Sequence, residues 1–362
     1  MSVSTGPKGP AAAAPPTALL RVGVIGAGAM GAAHARTLAT WVGGARVTQV
    51  YDVDVARAKA LAEEVGALAA SSPEALIAAG GADWAHAVDA VVIASPDITH
   101  ADLVIAAIAA GRPVFCEKPL AADVAGARRV VEAETAAGRR LVQVGFTRRY
   151  DPAFRELKEV VDAGTLGEVR LVHAVHRNAS NATSTDDATL VTGSMIHELD
   201  MVPWLVGEPV TAVRVESPVD GPFRDPQLAT LRLASGALAS VEIFVNARYG
   251  YDVQCEVVGT TGSVALQPRS TVTTRAAGVA GARVGADFVT HFGDAYRIEL
   301  AAWVAAARRG TVEGPDAWDG YLANLAAEAG VRSLASAGWE DVVLPQRPDL
   351  YPDRRSERRN RQ

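Results

Sequence analysis

The chain has 362 residues, 49% of them hydrophobic and 21% charged, with 41 acidic against 35 basic side chains and a formal net charge of −6. That length predicts two domains with a sizeable core. The acidic balance offers no basic surface for nucleic acid, and no apolar run is long enough to span a bilayer, so neither partner is expected.

Cys116 and Cys255 stand far apart. They make neither a disulfide framework nor a metal-ligand set, so buried reduced thiols, a cytoplasmic location and no metal are expected. Residues 1–18 are rich in Ala, Pro and Gly and read as a disordered extension rather than a signal peptide. Residues 352–362 read as a solvated, disordered basic tail.

From residue 19 to 146 the pattern alternates. Strands are predicted at 20–25, 46–51, 90–94, 113–116 and 141–145, and helices at 30–41, 55–65, 101–110 and 124–137. The run Ala90-Val-Val-Ile-Ala94 is continuously apolar, as in a strand buried on both faces. Strands alternating with helices define an α/β fold, a doubly wound parallel sheet of the Rossmann kind. From 147 to 351 the grammar changes. A helix at 152–163, a strand at 168–176, a polar loop at 179–188 and a helix at 195–206 precede strands at 210–216, 228–233, 237–246, 253–258 and 263–266. Helices at 295–308 and 318–334 close the chain. This half reads as an α+β domain with a large, mostly antiparallel sheet.

Gly26, Gly28 and Gly31 form G-x-G-x-x-G directly after a strand and at the start of a helix, with Ala29 and Met30 inside the run. The spacing suits a dinucleotide: a tight turn at Gly26, close approach of backbone to pyrophosphate at Gly28, helix against strand at Gly31. Asp52 ends the next strand about 20 residues on, where a carboxylate bonds the ribose hydroxyls of NAD and repels the extra phosphate of NADP. NAD is therefore the expected cofactor, with Arg57 as the nearest cation to cover the adenine end. Glu117-Lys118-Pro119 follows another strand at its carboxyl end, the edge at which such sheets bind ligands. There Lys118 either donates to a substrate hydroxyl or merely pairs with Glu117.

These motifs, with Ser95-Pro96-Asp97-Ile98-Thr99-His100, resemble the Gfo/Idh/MocA oxidoreductase family, and the second half is similar to its myo-inositol 2-dehydrogenase branch. The carrying segments are 143–151, 176–178, 196–200, 249–259, 314–321 and 347–351. The resemblance implies that Ser95, Pro96, Asp97 and His100 lie along the cofactor beside Glu117 and Lys118, with Asp97 and His100 at its nicotinamide half. It implies that Lys118 binds the reacting hydroxyl and that His197 is the general base, an imidazole suiting proton transfer near neutral pH. It places Arg148, His176, Asn178 and Tyr249 around the polyol or sugar. It also implies a homotetramer built through the open face of the second sheet.

Read without the resemblance, His197 is a helical histidine that packing alone would explain, and Tyr249 and Tyr251 share one face of a regular strand. One departure stands out. The inositol enzymes carry an aspartate four residues before the base, where this chain has Gly193. Thr192 or Ser194 substitutes for it, or the space admits a bulkier or amino-bearing substrate, or activity is reduced or lost. The expected activity is thus NAD-dependent oxidation of a cyclitol's secondary alcohol to a ketone. The alternatives are the same chemistry on an amino-cyclitol, an aminoglycoside intermediate or a nucleotide-linked sugar, and a non-catalytic NAD-binding regulator.

Overall fold

The structure is a computed structural model and describes residues 19–80, 86–180, 184, 186–267 and 272–352. The two expected disordered ends, apart from Pro352, and part of the loop at 179–188 lie outside those residues.

The first half forms β1 (Leu20–Ile25), α1 (Ala29–Thr40), β2 (Ala45–Tyr51), α2 (Val55–Val65), β3 (Leu68–Ala69), α3 (Pro73–Ala78), β4 (Ala90–Ile93), α4 (His100–Ala109), β5 (Val114–Cys116), α5 (Val124–Ala137) and β6 (Val142–Val144). The strands make one parallel sheet ordered β3-β2-β1-β4-β5-β6. Local chemistry sets the helix ends. The Asp54 side chain caps α2 and Gly66 closes it in the left-handed conformation; Asp123 and Gly138 do the same for α5. All four residues of β4 are buried, as expected of a strand covered on both faces.

The second half begins with a 3-10 turn at Thr147–Tyr150 and α6 (Pro152–Asp162), followed by β7 (Val169–Arg177). A helical stretch follows: α7 (Asp187–Thr189), a π-helical turn at Leu190–Met195, and α8 (Ile196–Val206). Next come β8 (Val210–Glu216), β9 (Gln227–Leu233), β10 (Leu238–Phe244), β11 (Asp252–Gly259) and β12 (Ser263–Ala265). A separate hairpin, β13 (Thr273–Ala276) and β14 (Val279–Ala282), precedes α9 (Phe288–His291), α10 (Gly293–Arg308), α11 (Ala317–Ser336) and β15 (Glu340–Asp341). The large sheet runs β12-β11-β7-β10-β9-β8-β15. It is antiparallel except between β7 and β10, which are parallel.

Three features depart from the sequence reading. The helix expected from residue 195 is already wound from Asp187. Thr192, Gly193 and Ser194 are poor helix formers, but Leu190, Val191 and Met195 are fully buried and packing overrides propensity. The β13–β14 hairpin turns on Ala277 and Gly278, both with positive φ, and all its strand residues are exposed, so it carried no apolar period to read. Finally, α10 packs away from the large sheet: Leu300, Trp303, Val304 and Ala307 join Val22, Val24, Leu38 and Val47 in the core under the parallel sheet. The two halves therefore share packing across residue 146, and α10 brings its buried face to the back of the first sheet.

Candidate active site

The glycine run fits the geometry a dinucleotide requires. Gly26 has φ +98°, and a Cβ there would meet the Ala94 backbone at 2.5 Å; a Cβ at Gly31 would run into the Gly26 carbonyl. A Cβ at Gly28 meets nothing within 4 Å, so the space above that residue is open. Gly28 is also the N-cap of α1 and supplies no side chain, leaving the first N–H groups of the helix aimed into that space. Asp52 ends β2 with its carboxylate accepting the Ala27 N–H at 2.7 Å and the Asp54 N–H at 2.8 Å. It thus also pins the glycine turn, with Arg57 3.8 Å away.

At the carboxyl edge of the same sheet, Asp97 is exposed, while His100 is buried with Nδ1 2.7 Å from the Pro119 carbonyl and Nε2 2.9 Å from the Ser95 carbonyl. His100 therefore links the loop after β4 to the loop after β5. Lys118, on that second loop, donates from Nζ to the Gly193 carbonyl at 2.9 Å. That carbonyl lies in the π-helical turn at Leu190–Met195. Burial draws the Lys118 amine below its ordinary pKa, against the opposing pull of Glu117.

Around this lysine lies a buried charged cluster. Arg148, in the 3-10 turn, pairs with Glu198 of α8, and His176 Nδ1 lies 3.3 Å from the same carboxylate. Burial pushes the Glu198 carboxyl up, but Arg148 and His176 outweigh it and hold the group below the usual range. Nε and Nη2 of Arg148 and Oδ1 of Asn178 are buried with no partner among the described residues. His197, next to Glu198, faces His176 with ring centroids 6.2 Å apart. Its Nδ1 is buried without a partner among the described residues. Burial, then the charges of Lys118, Arg148 and His176, push its pKa well below the ordinary imidazole value. A Cβ built at Gly193, one turn before, would touch nothing within 4 Å.

The structure thus brings Lys118, Arg148, His176, His197 and Gly193 together at the carboxyl edge of the parallel sheet. Tyr249 stands apart: it is 50% exposed, its hydroxyl bonded to Asp252 and Arg177. Tyr251, 4% exposed, packs edge-on against His176 at 5.8 Å instead. The two tyrosines do not share a face because Gly250, at φ +149°, breaks the extended backbone before β11 begins.

Sequence reasoning weighed Tyr251 but preferred Tyr249, and it passed over three groups: His34, Glu198 and Glu299. Glu299, on α10, is fully buried; Thr147 approaches it without completing a hydrogen bond. Burial, then the nearby Glu117 carboxylate, pushes its pKa well up, so the folded protein holds it neutral. A folded pKa above the unfolded value costs stability as pH rises past the unfolded value of about 4.5. Glu299→Gln is therefore expected to raise the melting temperature at pH 8, with the gain disappearing toward pH 4. An equal effect at both pH values would show that the carboxyl is not held neutral.

A cavity of about 990 Å³ lies on the other side of α8, lined by Arg149, Lys158, Trp204 and Trp318 among others. It includes neither Lys118 nor His197, and its Arg149 is spent on Asp200 and Asp319.

A strand–glycine–helix turn open to pyrophosphate, facing a lysine and a histidine across one sheet edge, defines an NAD-dependent dehydrogenase of the Rossmann class. Residues 20–146 match the oxidoreductase family, NAD-binding Rossmann fold model of Gfo/Idh/MocA, and residues 154–265 match the Gfo/Idh/MocA C-terminal domain. The chain is 46% identical to inositol 2-dehydrogenase 2 of Saccharopolyspora erythraea over 338 residues, covering 92% of this chain and 98% of that one. It is 45% identical to inositol 2-dehydrogenase of Streptomyces avermitilis, covering 92% and 97%. Among solved structures it is similar to myo-inositol dehydrogenase from Lactobacillus casei in complex with NAD(H) and myo-inositol. That match has a TM-score of 0.87 at 32% identity and covers 92% and 100% of the two chains. The chain belongs to the Gfo/Idh/MocA oxidoreductase family and is an NAD-binding, inositol 2-dehydrogenase-like enzyme acting on CH–OH groups.

Proposed function

We propose that the enzyme oxidises a secondary alcohol of a cyclitol of the myo-inositol type to the ketone. The observation that carries this reading is the convergence, at the sheet edge beside the glycine turn, of Lys118 Nζ and a half-buried His197 whose Nδ1 has no partner among the described residues. NAD, when bound, supplies the hydride acceptor. Lys118 exchanges the Gly193 carbonyl for the reacting hydroxyl and holds it. His197 takes the hydroxyl proton; its depressed pKa keeps the ring neutral and ready to accept. Arg148, beside the Tyr251 hydroxyl, and the Oδ1 of Asn178, which has no partner among the described residues, supply directed contacts of the kind a polyol needs. His176, its Nδ1 turned to Glu198, offers its other nitrogen. Tyr251, beside His176, takes the part in lining the polyol pocket that the resemblance gave to Tyr249. Steady-state turnover of a cyclitol panel with NAD and with NADP tests the reading. NADH formation from myo-inositol, with NADP a poor substitute, is expected; no turnover of any cyclitol would overturn it.

Gly193 favours a second reading, the same chemistry on a substituted or amino-bearing cyclitol. For His197 to act through Nε2, its Nδ1 must carry a proton with no acceptor, a penalty of about 1–3 kcal/mol. A side chain at residue 193 is placed to remove it, and the site has room. Gly193→Asp is expected to raise kcat on myo-inositol about 10-fold, the rate equivalent of about 1.4 kcal/mol, and to shift the acid limb of its pH profile upward. A fall in activity on myo-inositol would instead mean that the space receives part of the natural substrate.

We also propose a homotetramer in the cytoplasm. Leu171 and Leu238, register partners on β7 and β10, are exposed together on the outer face of the large sheet, and Leu228 is exposed further along it, opposite Glu242. Cys116 and Cys255 are both free and buried. Light scattering that gave a monomer mass would refute the assembly.

A further inference from the structure

We propose that His34 is a positioning residue for Lys118, acting through the Glu117 side chain, so that the glycine-rich helix and the lysine are held as one unit. The inference rests on the role proposed above for Lys118.

His34 lies on α1, within the helix whose first turn faces the dinucleotide. It is 1% exposed, its ring packed edge-on to Phe115 at 5.3 Å and to Tyr296 at 6.0 Å. Its Nε2 lies 2.6 Å from Glu117 Oε1. The other oxygen of Glu117 accepts the Lys118 backbone N–H at 3.1 Å. One carboxylate therefore joins the cofactor helix to the main chain of the lysine. The far side of Lys118 is fixed too, by His100 on the Pro119 carbonyl and by the Gly193 carbonyl on Nζ.

A buried carboxylate keeps its charge only while strong donors meet it. Beside Glu117 the alternative is on view, because Glu299 is a second buried carboxyl that lacks such donors. Without His34, Glu117 would protonate or rotate, and either change weakens its hold on the Lys118 N–H. A hydroxyl ligand must be held to within a fraction of an ångström, so loss of the support costs rate more than cofactor affinity.

His34→Leu removes the donor and keeps an apolar fit; His34→Gln returns an N–H near the position of Nε2. His34→Leu is expected to lower kcat for polyol oxidation about 10- to 100-fold, with Kd for NAD, read by protein fluorescence, nearly unchanged. His34→Gln is expected to recover most of the loss. The chain has only four lysines, Lys8, Lys59, Lys118 and Lys158, so carbon-13 reductive methylation gives a resolved Lys118 signal that needs no turnover. Its titration midpoint should move in His34→Leu and return in His34→Gln. If His34→Leu does not fold, Glu117→Gln takes its place with the same expected loss and the same displaced signal. Wild-type kcat together with an unmoved Lys118 signal in the Leu variant would overturn the inference, as would a Gln variant no better than the Leu one. If the wild-type chain oxidises no polyol, the functional reading fails by itself and the Lys118 signal alone decides about His34.

Discussion

Replacing His197 with alanine is expected to lower kcat for cyclitol oxidation by about 100- to 10,000-fold, while NAD still binds. The histidine is the second residue of α8, half-buried, with its ring 6.2 Å from that of His176 and the Lys118 charge acting on it. Two other members of the cluster are poorly suited to act as base. Arg148 keeps its proton, and Glu198 is committed to Arg148 and His176. Burial and three neighbouring positive or protonatable groups depress its pKa below the ordinary 6.5. The neutral form, which is the active one, therefore persists below that pH. The wild-type profile of kcat/KM should stay flat through pH 6.5 and fall only at lower pH, and the alanine variant should lose that limb. A wild-type acid limb above pH 6.5, or an alanine variant within a few-fold of wild type, would remove His197 from the role of base.

The second large effect is on stability. Glu198→Ala is expected to destabilise the fold by about 3–5 kcal/mol, because it leaves the Arg148 charge buried and unpaired. Both partners are almost fully buried, and Glu198 also receives His176. Charge removal from both sides separates this cost from simple loss of packing. The double variant Arg148→Met/Glu198→Met should unfold near the wild-type denaturant concentration yet turn over no polyol, since its two long apolar side chains fill similar volume without charge. A Glu198→Ala loss below about 1 kcal/mol would place the pair among solvated surface bridges.

The parallel sheet and the cofactor were legible in the sequence for a physical reason. A buried strand must be apolar throughout, a tight strand-to-helix turn must carry glycine, and a ribose acceptor must end the second strand. β4, Gly26–Gly31 and Asp52 meet those demands locally. Where tertiary packing decides, the sequence said less. Gly193 lies inside a helical stretch that its own residues disfavour, and burial of Leu190, Val191 and Met195 winds it there. The parallel pairing of β7 with β10 depends on a connection through α7 to β9, which period-2 patterning does not encode.

Within the site, residues at motif ends could be read, and residues joined only by the fold could not. His34 sits in a helix of small side chains, and Glu299 among alanines and Leu300, each with no local sign that they would meet Glu117 or Thr147. The clearest available sign was a lone titratable group on an otherwise apolar helix face. The tyrosine pair shows the limit of alternation: a single glycine at φ +149° turned Tyr249 outward and Tyr251 inward.

Hydride transfer from the carbinol carbon is the central claim, and isotope labelling tests it most directly. Myo-inositol bearing deuterium on its carbinol carbons, incubated with the enzyme and NAD, should yield NADH carrying one deuterium at the nicotinamide and an equal amount of ketone, with His197→Ala making neither at a comparable rate. NADH without deuterium, or no NADH from any cyclitol, would contradict the account.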